Sequence, residues 1–325
     1  MLLDIKNTFS TKYDGIIVFW ALAECGLGGF MHAMMLPFTG IAVGGIATIC
    51  IFLIAAFSQE KTKHIIEATA MVVMIKMIVS PHSPWQAYVA ILFQMLSAIL
   101  LLTGKKIYPW QAFLFAILTQ IESAIQKIVI MVLLFGRSFF NALDASMHQI
   151  AEFFKIHFQG NIIISVFLIY LLIHLIIGIL LGIWLPNIQN DVSKLKISNE
   201  FLPKISEKKY PGNNKLYWWV LSLIFTIVLV AWNGGDLWIL VLLRLVIITL
   251  GFMYIVTPIV KFFVRKYFSS RIDDQKMQNI IDSLPNTLAR YKRYIAWANK
   301  EYRGVKKIKY ILLAVIYASI HPDEV

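Results

Sequence analysis

The segment NIIISVFLIYLLIHLIIGILLGIWL, Asn161 to Leu185, decides the fold class. It is apolar on every helical face and holds one ionisable residue, His174. A helix on the surface of a soluble domain keeps a polar face, whereas about 20 consecutive apolar residues match a hydrocarbon core roughly 30 Å thick. The segment therefore reads as a membrane span, and it has company. Comparable segments run at Gly15–Leu36, Phe38–Phe57, Ile65–Val79, Trp85–Thr103 and Trp110–Phe135 before it, and at Leu216–Trp232 and Leu237–Phe263 after it. They make six spans and then two. The third is short for a bilayer and ends in Ser80-Pro81-His82-Ser83-Pro84, so its last turn is expected to break or re-enter, which lipid tolerates only where protein or a wet cavity shields the backbone.

Composition agrees with that reading. The 325-residue chain is 59% hydrophobic and 15% charged, with mean hydropathy +0.72, whereas an ordinary soluble domain has about 25% charged residues. A soluble globular protein is excluded, and the expected fold is an all-α polytopic membrane protein. The stretch before Gly15 carries Asp4, Lys6, Lys12 and Asp14, and no small-residue cleavage site follows, so the first span is expected to persist as a helix and not be cleaved as a signal peptide.

Thirty Lys and Arg against 18 Asp and Glu give a formal charge of +12. The excess lies in loops, which argues for membrane topology and lipid headgroups and against nucleic acid. Assigning loops alternately to two sides, one side holds Lys6 and Lys12, Lys61 and Lys63, Lys105 and Lys106, the lysines from Lys194 to Lys215, and the basic tail; the other holds Arg137 and Lys155. Both termini are thus expected in the cytoplasm, and a bacterial inner membrane is the expected location.

The linear organisation reads as four parts: a six-span domain over 1–186, a polar linker over 187–215 with Pro203, Pro211 and Gly212, a two-span hairpin over 216–263, and a basic helical tail over 264–325. Phe139–His157 carries Phe140, Leu143, Met147, Ile150, Phe153 and Phe154 at helical spacing, as an amphipathic helix on the outer surface would. In the tail, Met277, Ile281, Leu284, Leu288, Tyr291, Ile295, Ala298 and Tyr302 make an apolar seam, expected to kink or restart at Pro285. The seam suits either the membrane surface or a groove of a cytoplasmic partner. Whether Ile308–Ile320 enters the membrane stays open.

Ionisable groups inside spans each cost about 3 kcal/mol or more at the bilayer centre unless paired or wetted. Glu24, Glu122 and His174 fall near mid-membrane, and His32, Lys76 and Lys127 fall in the outer half, with Gln94 and Gln126 as neutral partners. One reading has these groups converge on an outward-opening solute pocket whose mouth is lined by His82, Trp85, Asn141 and Asp144. The substrate-binding candidates are then His32, Lys76, His82, Gln94, Glu122, Gln126, Lys127, Asn141 and His174. The other reading is internal ion pairing, for example Lys76 with Glu122, that holds the bundle together.

Ala21, Cys25, Gly29 and Ala33 recur every four residues, which on a regular helix makes a flat strip for close helix approach, within the bundle or to another subunit. No phosphate-binding Gly-rich loop, zinc-type His or Cys spacing, or serine-nucleophile elbow occurs, so no catalytic residue, metal or cofactor is assigned to this chain.

Taken together, residues 1–186 resemble the substrate-binding S components of energy-coupling factor (ECF) transporters, importers of vitamins and related micronutrients. The resemblance rests on six spans with both ends inside, on the Ala21, Cys25, Gly29, Ala33 ladder, on Leu36-Pro37-Phe38-Thr39-Gly40, on Lys76 through Pro84 with Ala87, Ala90 and Gln94, and on Gln126-Lys127. It implies a six-helix bundle that holds a small-molecule substrate near the outer face and topples to release it inside. A T-component-like membrane subunit and cytoplasmic P-loop ATPases would be its partners. The chain departs from the family after Pro186; the remainder is weakly similar to a T component, with Ala289-Arg290 and Arg303-Gly304 as the nearest echoes of its coupling helices. This makes Ala21, Cys25, Gly29, Ala33, Arg290 and Arg303 the docking candidates. The expectation is a substrate-capture subunit with a C-terminal coupling region; the alternative is a non-transporting scaffold of a larger membrane assembly. A lipid-directed enzyme would have only His82 and Asp144 to work with.

Overall fold

The computed structural model describes residues 2–33, 38–80, 83–153, 155, 160–195, 197, 202, 237–268 and 274–321. Helices make up the ordered elements, and no strand occurs among the described residues. In chain order they are α1 (Leu2–Leu22), α2 (Gly28–Ala33), α3 (Gly45–Phe57), α4 (Lys61–Val79), α5 (Trp85–Leu102), α6 (Pro109–Phe153), α7 (Ile162–Trp184), α8 (Ile188–Ser193), α9 (Leu237–Gly251), α10 (Thr257–Phe268), α11 (Asp274–Glu301) and α12 (Gly304–Ile320). Three π-helical turns join some of them end to end, at Ala23–Leu27, Gly40–Gly44 and Phe252–Val256.

Among the described residues six stretches are long and apolar enough to cross a membrane: Lys12–Met31, Gly40–Phe57, Trp85–Leu102, Pro109–Arg137, Ile162–Ser193 and Val246–Phe268. The chain is thus an all-α membrane-embedded protein. The third predicted span, Ile65–Val79, is helical as α4, but Lys61, Lys63, Glu67 and Lys76 make it too charged to belong to that set. The predicted span Leu216–Trp232 lies outside the described residues.

Contacts divide the chain differently from the linear reading. One compact unit gathers Met1–Ser123, His174–Ile205 and Ile259–Val325; the other gathers Ala124–Ile173 and Ser206–Pro258. In the first unit the last two helices return to the first: α11 and α12 pack on each other and on α1. Most of the tail seam is covered by this chain, with Leu284, Tyr291 and Ala298 buried and Met277, Ile281 and Ile295 against the same core, whereas Leu288 is 44% exposed. α11 runs through Pro285 as one helix. Leu313 to Ile320 of α12 are buried throughout, so the second part of the segment left open by the sequence is core, whereas Ile308 at its start is 65% exposed.

Helices in lipid gain little from moving apolar surface from lipid to protein, so close backbone approach carries the packing. A Cβ on Gly15 would fall on the Ser319 carbonyl, and one on Gly182 would come within 2.8 Å of the Phe113 Cα, which marks α1 against α12 and α7 against α6. Tyr291 donates or accepts a 2.8 Å hydrogen bond with the Ser319 hydroxyl, and burial pushes its phenol far up in pKa, so this link stays neutral. One end of the unit is basic. There Tyr13 bonds the His64 carbonyl at 3.1 Å, Lys276 pairs with Asp14 at 2.6 Å, Lys309 pairs with Asp191 at 2.6 Å, and Lys61 bonds the Gly104 carbonyl.

In the second unit α6 bends at Gly136, whose φ of 77° is open to glycine without strain. The Arg244 guanidinium lies against Gly136, and its Nε donates to the Leu133 carbonyl at 3.3 Å. Phe135, Phe139, Phe140 and Phe167 form an aromatic cluster beyond the bend. Asp144 accepts from the Ile163 N–H at 3.1 Å, and Asn161 caps α7 through the Ile164 N–H at 2.8 Å. The amphipathic stretch after Gly136 is therefore helical to Phe153, as its spacing predicts, and its Asp144 serves as a backbone anchor.

Candidate functional site

Two π-turns organise the polar interior of the first unit. A π-turn bonds residue i to i+5, inserts one residue, and shifts every side chain after it by about 100° around the helix. At Ala23–Leu27 the Gly28 N–H bonds the Ala23 carbonyl, and Glu24 sits in the widened ring. Lys76 of α4 reaches it, donating to Glu24 Oε2 at 2.6 Å and to the Glu24 carbonyl at 3.2 Å. Both side chains are almost fully enclosed, 2% and 6% exposed. The partner of Lys76 is therefore Glu24, which corrects the pairing with Glu122 considered from sequence. Removing one member of such a buried pair strands the other and costs roughly 3–5 kcal/mol.

The second π-turn, Gly40–Gly44, threads between polar side chains from three other helices. A Cβ on Gly40 would collide with the Ser123 hydroxyl and lie 3.5 Å from His174 Cε1. On Gly44 it would lie 3.4 Å from Gln94 Nε2, and on Gly45 it would lie 3.6 Å from Gln120 Nε2. The Ser123 contact requires glycine at 40, whereas a Cβ at 44 or 45 would make ordinary van der Waals contact with the glutamines. Nearby, Thr48 shares a 2.9 Å hydrogen bond with Thr119, and His174 Nδ1 lies 3.1 Å from the Gln120 carbonyl.

Gln94 and Gln120 are the unusual members. They are 2% and 0% exposed, yet among the described residues Gln94 Oε1 and both side-chain polar atoms of Gln120 have no hydrogen-bond partner. An unpartnered buried amide costs about 1–3 kcal/mol per lost bond, so such groups in a native core call for an explanation.

The structure brings Lys76, Gln94 and His174 into the buried interior of one unit. Glu122 is half-buried there, with a shielded Oε2 that lacks a hydrogen-bond partner. Gln126 is half-buried, and Lys127 and Asn141 are exposed; all three belong to the other unit. His82 lies outside the described residues, as do the side chains of His32 and Ala33. Sequence reasoning left Gln120 and Ser123 out of the site, and it missed Gly44 and Gly45, the role of Gly40, and also Arg244. The close glycines Gly40-x-x-x-Gly44-Gly45 were the available signal.

The small-residue ladder is interrupted by the first π-turn. Ala21 is buried in this chain's own core and Cys25 packs against it, whereas added Cβ atoms on Gly26 and Gly29 would meet nothing within 4 Å. Arg290 is half-buried with its guanidinium 5.9 Å from the Tyr291 ring, and Arg303 is exposed just before α12. Among the described residues no group of three or more His, Cys, Asp or Glu forms a metal cluster.

No family model matches this chain, and no match is found among curated proteins or among solved structures.

Proposed function

We propose that this chain is the membrane-embedded capture subunit for a small polar solute, in an ATP-driven importer of the ECF type. The observation that carries the reading is the pair of buried, unpartnered amides, Gln94 and Gln120, set against a glycine-lined π-turn beside His174. Carboxamides donate and accept, so together they suit a neutral or zwitterionic solute rich in hydrogen-bonding groups. A π-turn is a low-cost place to let a helix yield, which suits a site that opens and closes. T-component-like and ATPase partners follow from the resemblance, and the open Gly26–Gly29 face is the surface offered to them.

The test is mild-detergent purification from native membranes, followed by mass spectrometry of released small molecules and of co-purifying proteins. The expected result is a polar solute recovered with the wild-type chain and lost from the Gln94→Leu/Gln120→Leu variant, together with a P-loop ATPase. A second reading, a non-transporting scaffold, is favoured by the Lys76–Glu24 pair, which spends the buried charges on internal cohesion. Recovery of other membrane proteins with neither solute nor ATPase would establish it.

A further inference from the structure

We propose that a cavity at the basic end of the first unit binds the phosphodiester headgroup of an anionic membrane phospholipid. The cavity measures about 930 Å³ and lies where α3 and α5 end, α4 and α6 begin, and Pro186 and Gln189 follow α7. Three lysines line it, Lys61, Lys105 and Lys106, and among the described residues no Asp or Glu does. Glu60, adjacent in sequence, is engaged with Lys63 at 2.9 Å and stays off the cavity wall.

Lys61 is the centre of the site. Its Nζ donates to the carbonyls of Gly104 and Lys105, the latter at 3.4 Å, which fixes the loop between α5 and α6 and leaves one N–H uncommitted. Partial burial lowers its pKa, as expected of an ammonium that gives up some of its hydration. The N-termini of α4 and α6, where Lys61 and Pro109 line the cavity, add the positive ends of two helix dipoles. An anion completes this arrangement.

A lipid, as distinct from a soluble anion, follows from the other wall and the rim. Phe52 and Ala56 make the inner side apolar. At the rim, Tyr108 and Trp110 are 51% and 60% exposed, as aromatic residues at headgroup depth are, and Leu100 at 81% exposure continues the surface down α5 toward the hydrocarbon. A headgroup seated on the lysines would thus lay its acyl chains along a surface already apolar.

The full chain is reconstituted in phosphatidylcholine nanodiscs containing phosphatidylglycerol, and retained lipid is read by native mass spectrometry. Lys105→Gln/Lys106→Gln leaves the Lys61 anchor intact and is expected to lower phosphatidylglycerol retention on the order of tenfold, with phosphatidylcholine retention unchanged. Lys63→Gln, exposed and outside the cavity, is expected to retain phosphatidylglycerol like wild type. Equal retention by the double variant, or an equal loss in Lys63→Gln, overturns the site. Displacement of phosphatidylglycerol by inorganic phosphate alone at millimolar concentration overturns the lipid assignment in favour of a soluble anion.

Discussion

Lys76 Nζ lies 2.6 Å from Glu24 Oε2 and donates also to the carbonyl of the same residue, so one ammonium holds both the side chain and the backbone of a π-turn. The carbonyl contact ties the pair to the helix distortion and not merely to the charge of Glu24.

Breaking the pair from one side is therefore expected to be worse than removing it. Lys76→Met or Glu24→Gln alone should destabilise the chain by roughly 3–5 kcal/mol, and the double variant should recover most of that loss. Thermal unfolding in detergent of the four proteins reads the coupling directly. Additive losses would mean that the two residues act independently.

Gln94→Leu and Gln120→Leu separate stability from function. Each removes unsatisfied polar atoms from a buried site, so the melting temperature should stay level or rise while solute retention falls. A large drop in melting temperature would show that the amides are structurally satisfied, and would remove the case for a solute.

Close packing makes two glycines behave oppositely. Gly15→Ala should loosen α12 from α1 at a cost of about 1–3 kcal/mol, seen as faster proteolysis after Arg303, because the obstructing atoms are backbone. An added Cβ at Gly29 meets nothing within 4 Å among the described residues, so for Gly29→Leu folding should be unchanged and recovery of any membrane partner reduced. Unchanged recovery would free that face of a docking role.

His64 sets a pH dependence at the basic end. Burial, the largest influence, lowers its pKa from the ordinary 6.5, and its Nδ1 bonds the Ser58 hydroxyl. The unfolded chain then binds more protons than the folded one as pH falls below 6.5, so stability present above that value declines in acid. Melting temperatures measured between about pH 8 and 5 should fall toward acid in the wild type and flatten in His64→Phe. A parallel decline in both would assign the effect to other groups.

The membrane architecture was legible because apolarity is local. Asn161–Leu185 predicted a span, and α7 occupies Ile162–Trp184 with no need to know its neighbours. The partner of Lys76 was not legible, since a depth argument ranks residues by height in the membrane and is blind to which way they face. The π-turn hid more: one inserted residue breaks the four-residue ladder of Ala21, Cys25 and Gly29, and no regular spacing announces it. The seam in the tail was visible from Leu284, Tyr291 and Ala298, but a seam states that a face needs covering and is silent about what covers it. Here the cover is α12 and α1.

That last arrangement constrains biogenesis. The face of α1 around Gly15 is completed by α12, which the ribosome makes roughly 300 residues later, so their docking closes a very long loop and forms late. Until then that face of α1 lacks its cover. A chain cut short before Gly304 leaves the face open, a mark that membrane quality control can read.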